Sequence, residues 1–479
     1  MNRDEPPGLR RALGTPKIVF LVVAAAAPLV AMAGTVPLSI GVGNGPGIPG
    51  AYLIATVTLL LFSVGYAAMS RHITRGGGFY TYIARGLGRP PAAAGAIFAL
   101  VAYNGLVAAL AGGLGYFLTS GLALPIPWWI PSLVGIAIMG ALGYRSINVS
   151  ARVLAVLMVC EIAVLLVFDV AVIAARGADA FTWTSFDPAT VFSGAPGVAF
   201  MFAFGSFAGF EAAALYAEET PDPTRSVPRA TYAAVLVIGL FYLFTSWMMV
   251  GAVGAGKVQA AAAKDSGTFF LNLSAERLGE AASSVFGLLV ITSIFASLLS
   301  GHNASARYLF ALGRDRLLPF ALGRVHAKHA SPYVASLTQT AFTVLVVAVF
   351  AVGGLDPYRQ LVTIMSGLST LGIILLQTFA SIAIVAFFRR RGDRRYGRTL
   401  VAPVLGCVGM LTATVLLLEN FDTLADSHAV VINALPYAVL VVAVAAAGYA
   451  LWLRRAHADR YAGMGNGAGE AAPSTRGEP

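Results

Sequence analysis

Residues 204–211 read Phe204-Gly205-Ser206-Phe207-Ala208-Gly209-Phe210-Glu211, and they sit inside an apolar run from Val198 to Ala217. A run of that length covers a hydrocarbon core of about 30 Å at about 1.5 Å per residue, so it reads as a membrane-spanning helix. Two glycines and a serine at its middle loosen the helical ladder. An unpaired backbone group in lipid is costly, so such an interruption persists only where it lines a cavity enclosed by protein.

A matching interruption lies near the N-terminus, where the apolar run Ile18–Ile40 carries Ala33-Gly34-Thr35 followed by Pro37. Ten more apolar runs complete a reading of twelve spans. Spans 2 to 5 are Tyr52–Met69, Ala92–Thr119, Trp129–Gly143 and Ala151–Ala175. Spans 7 to 12 are Thr231–Val253, Ala282–Leu312, Val334–Val352, Leu361–Phe388, Leu400–Leu418 and Ala429–Leu453. Spans 1 and 6 then head two five-span halves, 18–175 and 198–388. Interruptions at corresponding places in two halves point to the ligand site of an inverted-repeat transporter. The competing reading is that Gly34, Gly205 and Gly209 merely let helices pack closely.

Composition supports an all-α integral membrane protein: 58% of the 479 residues are apolar and 11% charged, against about 25% charged in soluble domains. The mean hydropathy is +0.78. No soluble domain remains once the spans are set aside. Outside the two halves lie an N-terminal segment (1–17), spans 11 and 12 (400–453) and a tail (454–479), rich in Gly, Ala and Pro from Ala462 and expected to be disordered. Of 32 Lys and Arg residues, 27 fall on the side of the termini; Arg176, Lys257, Lys264, Arg277 and Arg359 fall on the other. By the positive-inside rule both termini are expected in the cytoplasm of a multi-pass protein of the cell membrane. The densest cluster, Arg389 to Arg398, suits anionic lipid headgroups rather than nucleic acid. The first apolar run is too long for a signal peptide core. Cys160 and Cys407 lie inside spans and read as packing residues. Gly41 to Gly47 lacks the Lys-Ser/Thr ending of a phosphate loop and reads as the turn between spans 1 and 2.

Three stretches in order carry a resemblance. The first is Gly77-Gly78-Phe79-Tyr80-Thr81-Tyr82 running to Arg85 and Gly88. The second is Phe204 to Glu211, continuing through Glu218-Glu219 and Pro221-Asp222-Pro223 to Arg225, Pro228 and Arg229. The third is Ala306 to Asp315, ending at Pro319. Together they resemble the amino acid-polyamine-organocation (APC) superfamily of permeases over about the first 330 residues. The resemblance implies a LeuT-type fold, a 5+5 inverted repeat with broken helices 1 and 6 and with spans 11 and 12 peripheral. It also implies a secondary transporter of amino acids or related amines.

An amino acid carries a carboxylate and an ammonium, and a broken helix offers freed N–H groups for one and freed carbonyls for the other. Substrate contacts are therefore expected at Ala33, Gly34 and Thr35 of span 1 and at Phe204, Ser206, Phe207 and Gly209 of span 6. Tyr103 and Asn104 of span 3 are placed to read the substrate side chain. Asn104 matches a ligand-facing asparagine of relatives, with interhelical hydrogen bonding as its alternative role. Ionisable groups inside spans default to function. Glu161, mid-span where ionisation is costly, and Glu211, just after the span 6 break, are candidates for proton coupling. Relatives that place a lysine in span 5 differ from this chain, so the coupling ion does not follow from resemblance. Asp169 reads as a solvated or paired charge and His302 as a packed neutral histidine. Ser297 and Ser300 supply the oxygen ligands a sodium site would need. Arg71, Arg75 and Arg85 face Glu218, Glu219 and Asp222 across the inner end and could pair as an inner gate, or as surface pairs of little energy.

The expected function is uptake of an amino acid or small amine by alternating access, coupled to protons. Amino acid exchange without net ion coupling and sodium-coupled symport are the alternatives. A membrane-embedded enzyme is remote, since no paired carboxylates at metal spacing and no nucleophile set can be assembled. No cofactor or metal is expected.

Overall fold

The computed structural model of the chain describes residues 14–72, 78–121, 124–145, 151–210, 220, 222–329 and 331–464. Among these, every regular element is helical. Nine of the described helices are long and apolar enough to cross a bilayer, and they coincide with spans 2, 3, 5 and 7 to 12. Spans 1, 4 and 6 coincide with the shorter apolar helices Pro28–Val42, Trp129–Tyr144 and Pro196–Gly205. The second half of span 6, with Glu211, lies outside the described residues. Valines such as Val156, Val159 and Val170 of span 5, and Val441 and Val444 of span 12, stand more than half exposed. In a chain this apolar, such faces meet hydrocarbon.

Helix neighbours reveal the repeat. Span 3 packs on span 10 and span 8 on span 5; span 3 on span 4 and span 8 on span 9; span 1 on span 7 and span 6 on span 2. Each pair maps onto its mate when 1–5 are exchanged for 6–10, while the contacts 2–7, 3–8 and 4–9 map onto themselves. Each half holds an odd number of alternating spans, so the second half runs upside down relative to the first. This is the inverted repeat.

Small residues let the central helices approach backbone to backbone. A Cβ added at Gly105 of span 3 would come within 2.8 Å of the Met365 carbonyl, and one at Gly372 of span 10 within 2.6 Å of the Phe98 carbonyl. Without a hydrophobic drive between helices in lipid, close contact of this kind is a main source of association. The first glycine-tyrosine signature folds as the helix Gly78–Leu87, laid against span 10, with Phe79 and Tyr82 buried on Tyr66 of span 2.

Span 1 breaks earlier than Ala33–Thr35. Helix Thr15–Ala25 ends, Ala27 turns to φ 45°, and the helix restarts at Pro28. Proline disfavours helical geometry in the residue before it and brings no N–H of its own. The Ala33-Gly34-Thr35 run instead forms the wide π-turn Ala31–Thr35, which leads into helix Val36–Val42 with Pro37 in its first turn. Span 6 breaks where expected: helix Pro196–Gly205 ends at Ser206, and tight turns follow to Gly209, at φ 104°. That angle favours glycine.

Candidate functional site

A cavity of about 210 Å³ opens between the two breaks. Span 1 contributes Val30, Ala31, Gly34 and Thr35, and span 6 contributes Gly205, Ser206, Ala208 and Gly209. Span 3 forms one wall with Tyr103, Leu106 and Gly113. Spans 8 and 10 close the rest with Ile294, Ser297 and Ser300, and with Ser366, Ser369 and Thr370. None of the described lining residues carries a formal charge. The polar contribution is hydroxyls and backbone.

The broken ends are held by side chains from other spans. In span 1, the Leu29 amide donates to Glu161 Oε2 of span 5 at 3.4 Å, the Ala26 carbonyl accepts from Tyr242 of span 7 at 2.9 Å, and the Gly34 carbonyl accepts from Tyr358 of span 10 at 2.8 Å. In span 6, the Ser206 hydroxyl donates to the Phe202 carbonyl at 2.7 Å, which leaves its oxygen to accept from Tyr52 of span 2 at 2.9 Å. Tyr52 meets Tyr242 edge to face with ring centroids 5.7 Å apart. A buried tyrosine pair thus joins the two breaks.

Two tyrosine stacks involve span 3, and each has one ring lining the cavity, Tyr358 and Tyr103. Tyr116 stacks on Tyr358 at 4.6 Å toward the end opposite the basic loops, and Tyr103 stacks on Tyr308 of span 8 at 5.0 Å. Thirteen residues separate the two span 3 tyrosines, about 20 Å of helix. Tyr358 also reaches the Ser266 carbonyl at 3.4 Å, tying the loop between spans 7 and 8 to the same end.

Of the expected substrate residues, Gly34, Thr35, Tyr103, Ser206 and Gly209 line the cavity, and so do Ser297 and Ser300. Ala33, Phe204 and Phe207 are buried in packing instead and are not among the lining residues. Asn104 turns its amide back to the Leu100 carbonyl at 2.7 Å. Glu161 is buried behind span 1 rather than in the cavity. Asp169 is not solvated: it is 1% exposed and accepts from Thr245 of span 7 at 2.9 Å. His302 is fully buried, with Nε2 2.9 Å from Ser336 Oγ of span 9.

Arg75, Glu211, Glu218 and Glu219 lie outside the described residues. Among the described residues, Asp222 pairs with Arg225 at 3.7 Å, within its own helix start. The Thr224 hydroxyl on its carboxylate, with Arg225 beside it, holds Asp222 below the ordinary carboxylate range. Arg71 shares a surface hollow with Arg225 and Arg229, and Arg85 is exposed. Sequence reasoning passed over Tyr52, Tyr242, Tyr358 and the span 10 hydroxyls. The spacing Ser366, Ser369, Thr370 in an otherwise apolar span was a readable sign of a polar face.

The family model described as amino acid permease matches residues 13–446. The branched-chain amino acid permease BcaP of Bacillus subtilis (strain 168) is 26% identical over 73% of this chain and 75% of its own length. The methylthioribose transporter of the same organism is 26% identical over 73% and 76%. The low-affinity putrescine importer PlaP of Escherichia coli (strain K12) is 25% identical over 81% and 83%. A crystal structure of the Eremococcus coleocola manganese transporter superposes with a TM-score of 0.56 at 15% identity, covering 95% of this chain and 99% of that one. That likeness concerns the fold.

Proposed function

The chain belongs to the amino acid permease family and transports an amino acid or amine; on that premise we propose that it takes up a zwitterionic amino acid with an apolar side chain, by alternating access coupled to protons. The observation that carries the reading is the division of labour at the breaks. The cavity walls are uncharged among the described residues, while Glu161, a buried acid, clamps the span 1 break from behind.

An uncharged cavity suits a solute whose own charges are met by backbone. Broken helix ends offer partial charges of both signs, which fit a carboxylate and an ammonium. A diamine brings two cations and no anion, and buried cations need a paired anion. The volume, about 210 Å³, supports a compact solute. The branched-chain relatives point the same way.

Glu161 links the proton to the conformation. As a carboxylate it accepts the Leu29 amide and holds the break; protonation weakens that hold, because a charge-assisted bond is about twice as strong as a neutral one. A proton therefore biases the position of span 1, the element that must move for access to alternate. Both termini are read as cytoplasmic in the cell membrane, on the charge asymmetry of the loops.

The test uses purified protein in vesicles. Glu161→Gln is expected to abolish leucine accumulation driven by a pH gradient while leucine binding persists. Accumulation by the Gln variant with wild-type pH dependence overturns proton coupling through Glu161, and a strict sodium requirement replaces the ion. For orientation, with Cys160 and Cys407 replaced, a cysteine in the Arg389–Arg398 loop is expected to react with an impermeant thiol reagent only from the cytoplasmic face. Labelling from outside reverses the topology.

A further inference from the structure

Glu161 faces a difficulty: it is 6% exposed and does not line the cavity, yet a coupling proton must reach and leave it. Resting on the reading of Glu161 above, we propose that its proton exchanges with the cavity along a stripe of hydroxyls on span 8, Ser293, Ser297 and Ser300, with Ser293 as the relay nearest the carboxyl.

The spacing of four and then three residues sets these three serines on one face of the helix Glu280–Arg314. The steps along the axis are about 6 Å and about 4.5 Å, each bridged by one water or by hydroxyl rotation. Ser297 and Ser300 line the cavity, and Ser300 is exposed. At the other end Ser293 is 2% exposed and its hydroxyl interacts with the Glu161 carboxyl, short of a fully aligned hydrogen bond. Beside a carboxyl it is available to accept or donate.

The surroundings leave few other routes. From span 7 the titratable neighbour is Tyr242, whose hydroxyl is committed to the Ala26 carbonyl. From span 1 the carboxyl meets a backbone amide, and no charged side chain among the described residues acts on it. On span 5 itself, Leu165, one turn on, is fully buried and apolar, and separates Glu161 from Asp169.

The transfer balances simply. The Glu161 O–H bond breaks and leaves a carboxylate; Ser293 Oγ takes that proton as it passes its own toward Ser297, and water in the cavity takes the last one. A hydroxyl is both donor and acceptor, so no serine changes charge overall.

The experiment compares Ser293→Ala with Ser293→Thr, reading pH-gradient-driven leucine uptake across a pH series and leucine binding separately. Ser293→Ala is expected to slow driven uptake about tenfold and to shift its pH profile; Ser293→Thr, which keeps the hydroxyl, restores both. Ser300→Ala is expected to slow uptake less, because water in the cavity substitutes for it. If Glu161→Gln abolishes driven uptake but Ser293→Ala keeps the wild-type rate and profile, the relay is wrong and the coupling role of Glu161 stands. If the Ala and Thr variants lose rate equally, Ser293 acts by packing and the relay is likewise overturned. If Glu161→Gln itself leaves driven uptake intact, the premise falls first.

Discussion

The two breaks differ in how their freed backbone is satisfied. At span 1, three backbone groups are held by side chains from spans 5, 7 and 10, one of them an acid. At span 6, among the described residues, Phe207 bonds back to Phe204, Ala208 to Gly205 and Phe210 to Phe207, and the Ser206 hydroxyl meets Tyr52. A break tied to three other spans transmits its state to them. On the proposed role of Glu161, the difference supports conformational coupling at span 1 and ligand positioning at span 6.

The sharpest way to break this contrast is to add a side chain at each site. Gly209 stands at φ 104°, so Gly209→Val is expected to cost about 1–3 kcal/mol of stability and to abolish substrate binding. At Gly34 an added Cβ meets nothing nearer than Val30 Cγ1 at 3.9 Å. Gly34→Val is therefore expected to abolish binding while shifting stability by less than about 0.5 kcal/mol. Thermal unfolding in detergent with and without leucine checks both; equal destabilisation by the two variants would erase the distinction.

A second probe removes the acid. Glu161→Leu strands the Leu29 amide and is expected to cost about 1–3 kcal/mol, read as a fall in unfolding temperature. An unchanged temperature would mean that the break does not depend on span 5.

Tyr358→Phe keeps the stack on Tyr116 but frees the Gly34 carbonyl, with an expected loss of about 1 kcal/mol. A cysteine at Thr35 should then become more reactive from the side opposite the basic loops. Unchanged reactivity would show that the tyrosine does not restrain span 1. The smallest effect is expected for Tyr52→Phe, about 0.5 kcal/mol, because Ser206 keeps its bond to the Phe202 carbonyl. A larger loss than that of Tyr358→Phe would reverse the assignment of the two breaks.

Asp169 and Asn104 show where reading the chain alone ran short. Both were recognised as polar groups within apolar spans, but one is buried against Thr245 and the other folds back on its own helix. Neither outcome is written in local sequence. The position of a span, and the place where a helix cannot continue, follow from hydropathy and from Gly and Pro chemistry, which act over neighbouring residues. The sequence by itself therefore determined the apolar spans, the broken helices and the glycines that line the cavity, with Pro28 moving the first break a few residues earlier than the glycine implied. Which face of a span meets lipid, cavity or another helix is a matter of rotation about its own axis. Span 3 is apolar on nearly every side, so no periodic pattern records that rotation, whereas span 10 carries the Ser366, Ser369, Thr370 face. Only packing in three dimensions brought Glu161 onto the Leu29 amide, joined Tyr52 to Ser206, and turned the span 8 serines from the acid toward the cavity, because each of these contacts links residues that lie far apart in the chain.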